Sequence, residues 1–240
     1  MKKLFTLITL SGILSGTLTA AGKHLFILSG QSNMVGLKAE MSLTPALATA
    51  FGEENITVVK DAQNGAPIRS WVYDYEYPDK REIKGKAKAD LGRKYTDLIK
   101  AVKPATEGKT YDSVTFIWMQ GERDARESLS EVYAKSFRAI LDQLKKDLNL
   151  KEINFVLGRI SDFDMTNSKY PHWTKIREIQ VQIAEADPRG AWVDTDEMNG
   201  GGPGTSGGGL HYNRSGYNDL GKSFAEEAIA LIKKNSSGSR

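Results

Sequence analysis

Short apolar runs, each closing on a polar or glycine break and separated by stretches of helical pattern, constrain this chain more than any other feature. His24–Ser29 runs into Gly30, Ile56–Val59 forms a second run, and Ser113–Met119 a third that again ends at a polar-glycine break. Ile153–Leu157 and the short Ala191–Val193 complete the series. Runs of this length and composition read as buried strands. Between them Leu91–Val102 and Leu129–Leu148 carry helical patterns, the latter with Val132, Phe137, Ile140, Leu141 and Leu144 at helical spacing. Trp173–Ala186 is a further helix, bracketed by Pro171 and Pro188, and Tyr217–Ile232 closes the chain. Strands alternating with helices predict an α/β fold with a mainly parallel sheet between helical layers.

The 240 residues show no internal repeat and no interdomain linker, so residues 22–240 read as one domain. Residues 1–21 read as a cleaved export signal. Lys2 and Lys3 precede an apolar stretch from Leu4 to Leu14, and small residues follow up to Ala21. That stretch is shorter than the roughly 20 residues a bilayer-spanning helix needs. The expected location is therefore periplasmic or secreted, with no membrane attachment after cleavage. Removing the signal takes two lysines and no acid, leaving 31 basic against 30 acidic residues, a net charge of +1. Such a balance gives no electrostatic case for nucleic acid or an anionic membrane as partner. The absence of cysteine excludes thiolate catalysis and cysteine-ligated metal.

Ligands of parallel sheets bind beyond the carboxyl ends of the strands. The polar motifs of this chain collect there: Ser29–Asn33, Asp61–Gly65, Gln120–Asp124, Arg159–Asp164 and the segment before His211. Ser32 sits in a tight, glycine-containing turn after the first strand, a setting that suits an acyl-transfer nucleophile and equally an ordinary helix cap. Gln31 and Asn33 flank it as supporting residues. A serine nucleophile needs a base, and the chain has three histidines. His24 begins the first strand, away from its functional end, and His172 stands at a helix start. His211 follows the glycine-rich stretch 199–209, just before the last helix, and is the histidine placed to act. Gln120 closes the third strand, where a side-chain amide either donates to an oxyanion or simply terminates the strand.

Four segments together resemble a known family. Gly30-Gln-Ser-Asn-Met34, Asn64-Gly-Ala-Pro-Ile68 followed by Trp71, Trp118-Met-Gln-Gly-Glu-Arg-Asp124, and Leu210-His211 are similar to the sialate O-acetylesterase and acetylxylan esterase group, carbohydrate esterase family six of the SGNH hydrolase superfamily. The resemblance implies a flavodoxin-like three-layer α/β/α sandwich, no cofactor and no metal. It also implies Ser32 as nucleophile and His211 as base, with the Ser32 and Gly65 N–H groups and the Gln120 side chain as oxyanion hole. Glu122 and Asp124 would support the loop rather than react. An acetylated carbohydrate is the implied substrate and partner, with Trp71 and Tyr73 as candidate sugar platforms or core residues.

One position departs from the pattern. SGNH enzymes often carry an aspartate three residues before the histidine, and here Gly208 stands there. The segment Phe155–Phe163 looks like a family stretch whose Gly-Glu-Phe supplies the acid in some members, which puts Asp162 in that role, Asp164 second and Glu122 third. Two alternatives to a carbohydrate esterase follow: a non-catalytic carbohydrate-binding protein, motivated by the missing aspartate, and a serine hydrolase of other short acyl esters.

Overall fold

The computed structural model describes residues 22–200 and 208–237; the expected export signal, residues 1–21, lies outside the described residues. Five strands form: β1 (His24–Gly30), β2 (Ile56–Ala62), β3 (Ser113–Met119), β4 (Asn154–Gly158) and β5 (Gly190–Val193). Each grows from one of the apolar runs. All neighbours pair parallel, in the order β2-β1-β3-β4-β5. Every residue of β1 and β4 is buried, and β3 is buried beyond Ser113, whereas β2 and β5 at the edges are partly exposed. The inner strands are covered on both faces, which is why their sequences are continuously apolar instead of alternating.

Eight α-helices accompany the sheet among the described residues: α1 (Ser32–Gly36), α2 (Leu43–Phe51), α3 (Gly85–Ala89), α4 (Arg93–Thr106), α5 (Glu122–Arg126), α6 (Ser130–Asp147), α7 (Trp173–Glu185) and α8 (Arg214–Ser237). The helices α2 and α8 pack on one face, while α4, α6 and α7 cover the other. Right-handed crossovers demand this division. The step from β1 to β2 runs one way across the sheet, and the steps from β2 to β3, β4 and β5 run the other. Phe137 of α6 seals its layer, edge-on to Phe155 at 5.3 Å and against Phe116 and Trp118 at 6.2 Å each.

The four long helices expected from the sequence are α4, α6, α7 and α8. The last starts earlier than its apolar pattern, at Arg214, because the Asn213 side chain accepts the Gly216 N–H at 2.8 Å and caps the helix. The helix α2 has too little apolar periodicity to be recognised: it buries only Leu43 and Leu47 and carries Pro45 near its start.

The strand order reverses between β1 and β3, and a crevice opens at that point on the carboxyl edge. Gly30 makes the exit from β1 possible. Its φ is +145°, and a Cβ there would overlap the Met119 carbonyl. The Gln31 N–H instead donates to that carbonyl at 2.9 Å, and the chain turns so that Ser32 opens α1 at the crevice. We expect Gly30→Ala to lower stability by at least about 3 kcal/mol through this overlap and the unfavourable φ. Urea unfolding reads the loss, and a midpoint equal to wild type would show that β1 and β3 do not need this approach.

Candidate active site

His211 and Ser32 meet at the crevice although they are 179 residues apart in sequence: Nε2 of His211 lies 2.9 Å from Ser32 Oγ. They share the wall of a cavity of about 320 Å³ with Gln31, Asn64, Gly65 and Glu122. Arg123, Arg126, Tyr170 and Leu210 complete its rim. The other histidines are engaged elsewhere. His24 contacts Ser113 Oγ at 2.8 Å through Nδ1, and His172 contacts Ser130 Oγ through Nδ1 at 2.8 Å.

Two buried amides hold the pair in place. Asn33, next to Ser32, donates through Nδ2 to Glu122 Oε1 at 2.8 Å and to the Leu210 carbonyl at 3.1 Å, so it clips the Ser32 turn to the residue preceding His211. The Tyr217 hydroxyl donates to Asn33 Oδ1 at 3.2 Å and fixes the orientation of this amide. Gln31, on the other side of Ser32, accepts the Arg123 N–H at 3.1 Å. Both supporting residues expected from the sequence thus tie the Ser32 turn to the segments after β3 and before α8.

Gly65 lines the cavity with φ +64° and open space where a Cβ would stand. Gln120 lies deeper than its expected role requires. It is fully buried, and its Nε2 is shared among Asp124 Oδ2 at 2.5 Å, Gln31 Oε1 at 3.2 Å and the Ala66 carbonyl at 3.3 Å. Three acceptors exhaust an amide with two N–H groups. Asp124 also accepts the Ile68 N–H at 2.8 Å, so this carboxylate anchors the strand-end segment that carries Gly65.

The sugar platforms expected at Trp71 and Tyr73 are elsewhere. Trp71 is fully buried, edge-on to Trp118 at 5.0 Å, with its indole N–H donating to Ser29 Oγ at 3.0 Å. Tyr73 packs against Tyr95 at 5.5 Å and meets Thr96 Oγ1 at 2.9 Å. The aromatic ring on the cavity rim is Tyr170, which sequence reasoning missed because its segment carries no strand or helix signal.

The three expected acids occupy different environments. Asp162 is buried, but Oδ1 accepts from Asn199 Nδ2 at 3.0 Å rather than from His211. Asp164 is committed to its own turn, accepting the N–H groups of Ser168, Lys169 and Tyr170 at 3.1, 2.8 and 2.7 Å. Burial pushes its pKa up, but those donors outweigh it and hold the carboxyl below the ordinary value. That turn sets Tyr170 on the rim. Glu122 alone of the three lines the cavity, and its buried Oε2 has no hydrogen-bond partner. Gly208 sits where the family aspartate is expected, and a Cβ on it would overlap the Asn199 side chain. The amide of Asn199, held by Ser161 Oγ at 3.3 Å and Asp162, fills that place. No group of three or more His, Asp or Glu side chains able to hold a metal ion occurs among the described residues.

The parallel 2-1-3-4-5 sheet between two helical layers, with a Ser–His pair at its switch point, is the flavodoxin-like fold of the SGNH hydrolases. The chain belongs to the family described as carbohydrate esterase, sialic acid-specific acetylesterase, whose model matches residues 35–230. The match begins just after Ser32. It makes the protein a carboxylic ester hydrolase of carbohydrate-esterase type. Solved structures share the fold at low identity. A protein from Arabidopsis thaliana superposes with a TM-score of 0.63 at 18% identity, over 87% of this chain and 98% of that one. A carbohydrate acetylesterase from Xanthomonas citri gives 0.59 at 19%, over 88% of this chain; the match spans only 56% of that longer protein. A member of the lipolytic G-D-S-L family from Veillonella parvula gives 0.51 at 14%, over 86% and 98%. A comparison with curated proteins finds no match.

Burial raises the Glu122 carboxyl from 4.5 to about 7, and Asp124 from 3.8 to about 6. In both cases the folded state keeps a proton that the unfolded chain releases, so each contribution to stability falls as pH rises between those two values. Glu122→Gln keeps an acceptor for Asn33 and removes one titration. Relative to wild type the variant should gain stability between about pH 5 and pH 8, by at most about 3 kcal/mol. Denaturant midpoints of the two proteins across that range measure it; a constant difference would mean Glu122 titrates normally.

Proposed function

We propose that this protein is a serine esterase that removes O-acetyl groups from carbohydrate through an acetyl-Ser32 intermediate. The observation that carries the reading is the 2.9 Å contact between His211 Nε2 and Ser32 Oγ on the wall of an open cavity. His211 accepts the Ser32 proton as Oγ bonds to the acetyl carbon. The resulting oxyanion lies against the N–H groups of Ser32 and Gly65. Asn64 is the exposed side-chain amide on the same wall, and it takes the third donor position because the Gln120 amide is committed below. The tetrahedral intermediate collapses, the bond to the sugar oxygen breaks, and His211 returns the proton to that oxygen. Water then repeats the sequence on the acetyl ester and frees Ser32.

Glu122 is the carboxylate assigned to the imidazolium that forms in this scheme, since it lines the same cavity as His211 and its buried Oε2 has no hydrogen-bond partner. Asp162 is assigned a positioning role on residues 208–211 through Asn199, whose carbonyl accepts the Gly209 N–H at 3.0 Å. Residues 1–21 act as a cleaved export signal in this reading, so the mature enzyme begins at Gly22.

Hydrolysis of p-nitrophenyl acetate tests the scheme. Ser32→Ala and His211→Asn should each lose at least about 10³-fold in kcat/KM. A longer acyl chain on the same leaving group should be turned over more slowly than acetyl. Retained turnover in Ser32→Ala would overturn the mechanism, and faster cleavage of long-chain esters would replace the acetyl assignment.

A further inference from the structure

Tyr217 stands in the first turn of α8, and its ring is fixed by two neighbours. It lies so close to Gly36, the last residue of α1, that a Cβ at position 36 would overlap the tip of the phenol. It also packs on Tyr212, with ring centroids 5.6 Å apart. The half-buried ring lines a cavity of about 510 Å³, yet its hydroxyl ends on Asn33 Oδ1 at 3.2 Å. Burial raises the hydroxyl above its ordinary pKa, and a hydrogen bond from the Tyr212 backbone opposes this in part, so the group stays protonated near neutral pH and donates.

Asn33 is buried, and all of its hydrogen-bonding groups are in use: Oδ1 takes Tyr217, and the two N–H groups of Nδ2 go to Glu122 and to the Leu210 carbonyl. Reversing the amide would set its oxygen against two acceptors. A donor on the amide oxygen draws electron density from the nitrogen and strengthens both of its N–H groups. One of them goes to a carboxyl group, where such a bond favours the ionised form. The other holds the residue that precedes His211. The groups that face Glu122 are Asp124 on its own helix, Tyr133 of α6, Tyr212 ahead of α8 and Tyr217, while His211, Arg123 and Arg126 share its cavity. Burial keeps the three tyrosines neutral, and Asp124 makes no bond to Asn33.

Building on the esterase reading of Ser32 and His211, we propose that Tyr217 is a positioning residue for the hydrolysis. Seated against Gly36, its hydroxyl orients and polarises the Asn33 amide, and Asn33 in turn favours the carboxylate form of Glu122 and holds Leu210 behind His211. One phenol outside the reacting pair thus acts on the acid and the base together.

Wild type and Tyr217→Phe are compared on p-nitrophenyl acetate from about pH 5 to about pH 8. Phenylalanine keeps the ring on Gly36 and removes only the donor. We expect kcat to fall by about fivefold or more, with KM within about twofold, because the bond acts on the reacting groups and not on the substrate. The acid limb of kcat/KM should move up by about half a pH unit, since a weaker Asn33 donor disfavours the deprotonated Glu122 that the active form needs. Tyr212→Phe is the control: it removes a buried hydroxyl bond, at 2.7 Å to Thr195 Oγ1, without touching Asn33, and its acid limb should stay in place. Unchanged kcat or an unshifted limb in Tyr217→Phe, a change confined to KM, or an equal shift in both variants would overturn the proposal. If wild type shows no turnover, it is the esterase reading that fails. An NMR titration of isotope-labelled glutamate, with Glu122→Gln to assign the signal, then decides the role of Tyr217. A Glu122 midpoint raised in Tyr217→Phe supports its action through Asn33, and an unchanged midpoint refutes it.

Discussion

The close approach of β1 to β3 at their carboxyl ends is the constraint from which the rest of the site follows. Gly30 lets the Gln31 N–H reach the Met119 carbonyl, and its own carbonyl accepts the Gln63 N–H at 3.0 Å, so the exits of β1, β2 and β3 are bound together. The segments leaving those strands carry Ser32, Gly65 and Glu122. Once the exits are joined, short side-chain links suffice: Gln31 to the Arg123 N–H, and Asn33 to Glu122 and the Leu210 carbonyl. The second of these brings in the one element from the far end of the chain, and with it His211. The proposed acyl-transfer pair needs its two groups within hydrogen-bonding distance, and here that distance is set by backbone geometry and two amides rather than by long flexible side chains.

Beneath the serine the protein buries two carboxyl groups, Glu122 and Asp124, within one turn of each other. Burying charge is costly unless it is paired or neutralised. Asp124 is offset by donors from Ile68 and Gln120, and Glu122 by Asn33, yet both remain easier to protonate than in water. The arrangement organises the Gly65 side of the cavity at some expense in stability near neutral pH. Asp124 holds the Gly65 segment, and Glu122 keeps one buried oxygen without a hydrogen-bond partner. A site with polar groups left unsatisfied before substrate arrives is one that stability alone would not select.

The glycine at position 208 acquires a physical explanation from its neighbour. Asn199 projects into the volume that a side chain at 208 would enter, and Asp162 and Ser161 hold it there. The two positions are therefore coupled: an aspartate at 208 requires the Asn199 side chain to move or to be smaller. Asp162 reaches the neighbourhood of the missing acid, as its place in the sequence implied, but its carboxylate ends on Asn199.

Strand positions, the long helices and the parallel α/β class were legible because burial on both faces writes uninterrupted apolar runs and helical burial writes a 3.6-residue period. Both signals are local. The meeting of Ser32 and His211 at one edge was legible for a related reason: strand order along the chain tells which segments end at the carboxyl edge, and few histidines compete. The resemblance ranked Asp162 first, Asp164 second and Glu122 third, but no local pattern could check that order, because all three follow strands and only the directions of their side chains separate them. Nor could it tell that Trp71 turns inward to Ser29 while Tyr170 faces the cavity, or that Gln120 spends its amide on Asp124. The short helix α2 escaped for want of an apolar stripe. Local patterning determined which elements form and which edge holds the chemistry; the orientation of each polar side chain was decided only by packing, because hydrogen-bond partners distant in sequence compete for the same few donors and only the folded chain brings them together.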